Sequence, residues 1–136
     1  MNFIKPTIEG YQKENKNCTV VALCVSTRIP YQQCLEISKK AGRKPKKGFR
    51  SEKLIDFFNK NSKEQFVPVK LRKPLTIQKF CKKYPKGSFY ARKRNHAFAI
   101  VDGNVFDMPG DATPRSIVKN AWKLKKVVYN RTNEVS

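Results

Sequence analysis

Cys18, His96 and Asp107 place a thiol, an imidazole and a carboxylate in that order along a chain of 136 residues. These are the parts of a thiol nucleophile site: a sulfur that attacks, a base that moves its proton, and an acid that orients the base. Gln12, six residues before Cys18, adds a side-chain amide that could donate to an oxyanion. His96 is the chain's single histidine, so any imidazole serving a cysteine must be this one. Asp107 closes the return strand of the hairpin that His96 heads. Asp102 and Asn104 are rivals for orienting the ring, but they fall in the turn. Plainer readings stand beside these. Cys18 could be a small buried hydrophobe, His96 a satisfied structural histidine, Asp107 a cap for the turn Met108-Pro109-Gly110, and Gln12 one glutamine in a polar segment.

Several elements must position these groups. The first 16 residues read as an extended polar lead-in. Asn17 reads as an N-cap, which puts Cys18 in the first turn of a helix running to about Arg28. Backbone N–H groups and the positive end of the helix dipole lower a thiol pKa there. Val20 to Val25 is apolar on every side, so this helix is expected at the centre of the core. Pro30 opens a second helix that Gly42 closes, and Ser51 caps a third bearing Leu54, Ile55, Phe57 and Phe58. Phe66 to Leu71 reads as a strand, Thr76 caps a helix from Ile77 to Tyr84, and Ser88 to Arg92 alternates like a strand. Ala97–Val101 and Val105–Asp107 form a hairpin about Asp102-Gly103, or about Gly103-Asn104. Asp111 to Pro114 is expected to open a helix carrying Ile117, Val118 and Trp122, with a last strand over Lys123 to Tyr129. Cys24, Cys34 and Cys81 read as core residues of helix faces. The whole chain, 1–136, reads as one α+β domain with a frayed tail over 130–136.

Gln12-x5-Cys18 ahead of an apolar helix, then His96-x-Phe98-x-Ile100 and a following acid, resembles the papain-like cysteine peptidases. The stretches Asn17-Cys18-Thr19-Val20-Val21-Ala22-Leu23 and His96 to Asp107 are similar in particular to those of small papain-fold proteins of phages. The resemblance implies a papain-like (cysteine proteinase) fold, with a central N-terminal helix packed on an antiparallel β-sheet. It implies Cys18 as nucleophile, His96 as base, Asp107 as its orienter and Gln12 as oxyanion donor. The implied reaction is cleavage of a peptide or isopeptide bond. The alternative on the same fold is an inactive, strongly basic phage protein that binds nucleic acid or an acidic host protein.

Thirty Lys and Arg against ten acids give a formal net charge of +20. No acid occurs between Glu64 and Asp102, where ten basic residues do. A field of this sign favours polyanions (nucleic acid, an acidic protein surface or anionic lipid), and the partner expected is an acidic protein substrate or nucleic acid. Phosphate contact is expected through Arg43, Lys44, Lys46, Lys47, Arg92, Lys93 and Arg94. The aromatics among the charges look like core residues, and no helix-turn-helix, zinc finger or Gly-rich phosphate loop is present. The four cysteines contain no CxxC pair, so no metal and no cofactor are expected. No signal-peptide core and no membrane span are read, which points to a reducing cytoplasm, the host's if the protein is phage-encoded.

Overall fold

A computed structural model describes residues 1–11, 17–44, 49–107 and 110–126. The elements in chain order are β1 (Phe3–Ile4), α1 (Cys18–Thr27), α2 (Tyr31–Ala41), α3 (Ser51–Asn61), β2 (Glu64–Pro68), β3 (Leu75–Thr76), α4 (Ile77–Lys83), β4 (Ser88–Lys93), β5 (His96–Val101), β6 (Asn104–Phe106), β7 (Ile117–Val118) and β8 (Asn120–Lys126). The class is α+β, as the sequence indicates. The main sheet runs β1-β6-β5-β4-β8-β2, and β3 pairs with β7 separately. The sheet is mixed and not wholly antiparallel, because β1 joins the edge parallel to β6.

Both faces of the sheet are covered. Tyr90, Ala97, Phe66 and Trp122 pack with α1, α2 and α3 on one face. Phe89, Ala91, Phe98, Ile100 and Ala121 pack with α4 and β7 on the other. This explains why β5 reads as an unbroken apolar run and shows no polar alternation. Helix α1 lies on the first face, and Val20, Ala22 and Leu23 have no exposed surface. It is apolar all round because α2 and the sheet close on it from different sides. It stops where Arg28 turns left-handed (φ 64°) and donates its N–H to Cys24 O.

Two expected caps do other work. Asn17 makes no side-chain cap bond to α1; its amide donates to the Tyr31 hydroxyl at 3.1 Å. That bond joins the start of α1 to the start of α2. Ser51 is the first residue of α3, not its cap, and its hydroxyl shares a 2.8 Å hydrogen bond with Tyr90 on β4. Both hydroxyls are buried, where a lost partner costs about 1–3 kcal/mol. Thr76 does cap α4, accepting from Lys79 N at 3.2 Å, and Gly42 closes α2 at φ 114°.

The stretch after Asp107 departs from expectation. No helix forms over Ile117 to Trp122. Thr113 and Ser116 close a turn through two 3.0 Å bonds, and the chain continues as β7 and β8. The reason is tertiary. Ala121 faces one side of the sheet while Trp122 and Leu124 face the other, and β8 pairs with both β4 and β2. Two ladders of backbone bonds outweigh a weak local helix preference. The last strand therefore starts at Asn120, before the expected Lys123. The expected strand from Phe66 instead spans Glu64–Pro68. Expectations for 127–136 lie outside the described residues.

Candidate active site

The β5–β6 hairpin sets the geometry of the acid and the base. Its register pairs Val101 with Asn104, Ile100 with Val105 and Ala99 with Phe106. The loop is therefore the two residues Asp102 and Gly103, at φ 48° and 76°. Positive φ at both central positions matches the twist of the flanking strands. With that register fixed, Asp107 emerges just past β6, beside the head of β5. One carboxylate oxygen, Oδ1, lies 2.6 Å from His96 Nε2. The other, Oδ2, accepts from Ala112 N at 2.7 Å, so Asp107 holds both the ring and the loop that follows. Its own N–H donates to Ile4 O, which is how the short strand β1 steadies this end of the hairpin. The rivals are engaged elsewhere: Asp102 accepts from Gly87 N and Asn104 from Asn2 N.

Cys18 stands at the first position of α1 with its thiol partly exposed. The His96 side chain and the N–H groups of Ala97 and Thr19 lie close enough to act on its ionisation. Asp107 occupies Nε2, so Nδ1 is the ring nitrogen left for the sulfur. Burial alone pushes the Cys18 thiol up; the His96 hydrogen bond, the Ala97 N–H, the His96 charge and the Thr19 N–H together bring it below the ordinary thiol value. For His96 burial acts downward, and the Asp107 and Cys18 hydrogen bonds and charges reverse this and push it up to about 9. The combination favours a thiolate–imidazolium pair. The Phe98 ring, nearly parallel to the imidazole at 6.2 Å between centroids, backs it from the same strand.

No other cysteine has this setting. Burial raises Cys81. Cys24 on α1 and Cys34 on α2 act on each other, lowering the first and raising the second, and Cys34 Sγ donates to Ile29 O at 3.6 Å. All three are buried, as expected of core residues. The backbone donors of Ala97 and Thr19 were not singled out in the sequence. Any residue following His96 or Cys18 could supply them, so they leave no side-chain signal.

Comparison of the chain with family models, with curated proteins and with solved structures finds no match.

Gln12 lies outside the described residues, as do Lys46 and Lys47. Arg43 is a correction. It is 4% exposed at the end of α2 and does not present its guanidinium to a surface phosphate. Lys44 and Arg94 are exposed, and Arg92 and Lys93 are half-buried. Arg94 and Asn95 form the β4–β5 turn directly ahead of His96, with Asn95 left-handed at φ 59°. Among the described residues no three His, Cys, Asp or Glu side chains converge as metal ligands, and no helix is long and apolar enough to cross a membrane.

Alkylation by iodoacetamide checks this site. Near pH 7 Cys18 reacts faster than Cys24, Cys34 or Cys81, since it alone combines a lowered thiol with a side chain that is not fully buried. His96→Ala leaves burial as the leading influence on Cys18 and removes that advantage. Equal labelling of all four cysteines in the wild type, read by peptide mass spectrometry, would contradict the assignment.

Proposed function

We propose that the chain is a small thiol hydrolase with a papain-like core, cleaving a peptide or isopeptide bond. The observation that carries this reading is the 2.6 Å bond between His96 and Asp107, with His96 near enough to Cys18, at the start of the central helix, to lower its thiol. The order of elements supports it too: cysteine at the start of a buried helix, histidine at the head of a sheet strand, acid after the next strand.

In the first half-reaction the Cys18 thiolate adds to the carbonyl carbon. The tetrahedral oxyanion is held by the Cys18 N–H and, as the sequence resemblance implies, by the Gln12 amide. His96 gives its Nδ1 proton to the leaving nitrogen, and the carbon–nitrogen bond breaks to leave a thioester on Cys18. In the second half-reaction neutral His96 takes a proton from water, the hydroxide oxygen adds to the thioester, and the thiolate leaves. Asp107 keeps Nε2 engaged and the ring oriented throughout. Proton transfer of this kind contributes on the order of 10²–10⁴ in rate. The positive surface steers an acidic or nucleic-acid-associated target. A phage origin and action in a host cytoplasm fit the same reading.

p-Nitrophenyl acetate tests the chemistry without knowledge of the natural substrate. Cys18 should acquire one acetyl group as nitrophenolate leaves, seen as a burst and as an intact-mass increase. Cys18→Ala abolishes the adduct, and His96→Ala slows its formation by about 10²-fold or more. The rate should rise with pH through the lowered Cys18 ionisation. Turnover of an amide should then fall above about 9, where His96 loses the proton that the leaving group needs. An adduct that forms equally in Cys18→Ala ends the proposal.

The charge of +20 favours a second reading, a binding protein on the same fold. Retention on heparin or DNA should then fall steeply with salt as counterions are released, and weaken when Lys93 and Arg94 become Gln. Salt-independent retention rules that reading out.

A further inference from the structure

Strand register places a cation on the face of the sheet that α1 covers. Arg92 pairs across the sheet with Ala97, and the two share a face. Ala97 belongs to the α1 side of the sheet, and its N–H is one of the groups that act on the ionisation of Cys18. Arg92 also pairs with Asn120 on the other flanking strand, β8. Its Nη1 donates to Asn120 Oδ1 at 2.9 Å, which ties the guanidinium to β8. Tyr90, two residues earlier on the same face, gives an independent reading of the neighbourhood. Burial raises its phenol far above the ordinary value and the Ser51 hydrogen bond opposes this. The charges of Cys18, Arg92 and Glu52 act next, so all three groups lie within electrostatic reach of one hydroxyl. Glu52 is the acid of that group, and it faces Arg50 at 3.9 Å on the exposed side of α3.

We propose that Arg92, held by Asn120, is a specificity-determining residue that binds a carboxylate side chain of the substrate close to the bond Cys18 attacks. Asn120 uses Nη1, and the Nε–Nη2 edge of the fork matches the two oxygens of a carboxylate. The preferred substrate is therefore an acidic peptide, with Asp or Glu near the scissile bond. This rests on the thiol-hydrolase reading. It adds to that reading a local contact distinct from the diffuse attraction of the net charge.

A set of acyl-tripeptidyl fluoromethyl ketones tests it. In these the Cys18 thiolate displaces fluoride, forming a carbon–sulfur bond as the carbon–fluorine bond breaks. Glu is moved through the three positions, and each probe is compared with its Gln isostere. At one position the Glu probe should label Cys18 about tenfold faster than the Gln probe, the worth of one charge-assisted hydrogen-bonded pair. Arg92→Gln should bring that ratio to near one, and Asn120→Ala should reduce it. The ratio compares two probes on one protein, so a general loss of reactivity cancels. Lys125→Gln removes the same charge from the far part of β8 and should leave the ratio as in wild type.

A ratio near one at all positions, with His96-dependent labelling of Cys18 intact, overturns the Arg92 assignment and leaves the hydrolase reading standing. A preference that persists in Arg92→Gln also overturns the assignment. Labelling of Cys18 no faster than of Cys81 overturns both. If double-stranded DNA blocks both probes equally and no Glu preference exists, the basic patch belongs to nucleic acid and the assignment falls.

Discussion

One buried imidazole, held between a carboxylate and a sulfur, is the interaction on which the rest depends. His96 is the chain's only histidine and is largely withdrawn from water. A charged ring in that position is costly unless its charge is met. Asp107 meets it at Nε2, 2.6 Å away. The thiolate of Cys18 meets it on the other side. Asp107 and Cys18 each stabilise the charged ring, and the charged ring in turn stabilises the thiolate. Removing the carboxylate would turn a buried ion pair into a buried ring with an unmet charge, and the thiol would return towards its protonated form.

The fold serves that contact by fixing two distances independently. The Asp102-Gly103 turn and the pairing with β1 fix Asp107 against His96. The packing of α1 on β5 and β4 fixes Cys18 against His96. Asn17, Tyr31, Ser51 and Tyr90 are polar groups in the same core, and their paired hydrogen bonds join the start of α1 to the start of α2 and the start of α3 to β4. A core of this kind holds the helix start in one place, because sliding would leave buried hydroxyls without partners.

Much of this was legible in the residues. The helix from Cys18, the hairpin at Asp102-Gly103, the Thr76 cap and the trio Cys18, His96 and Asp107 follow from local patterns: an apolar run, an Asp-Gly turn and the period of a strand. The α+β class followed from the order of those patterns. What was not legible depends on distant partners. Asn17 and Ser51 look like caps in isolation, and only Tyr31 and Tyr90 reveal their other use. Ile117 to Trp122 carries a pattern that suits helix or strand, and β4 and β2 decide it. Arg43 sits in a basic run and reads as surface, yet the fold buries it. The pairing of Arg92 with Ala97 and Asn120 exists only in the register of three strands.

The most direct measurement is the ionisation of His96, followed by NMR through its ring carbon and nitrogen shifts. The account predicts protonation up to about pH 9. It also predicts a Nε2 proton bonded to Asp107, and a downward shift in both Asp107→Asn and Cys18→Ala, since each removes a partner of the imidazolium. A ring that titrates near its ordinary value of about 6.5 in the wild type, unmoved by either substitution, would contradict it.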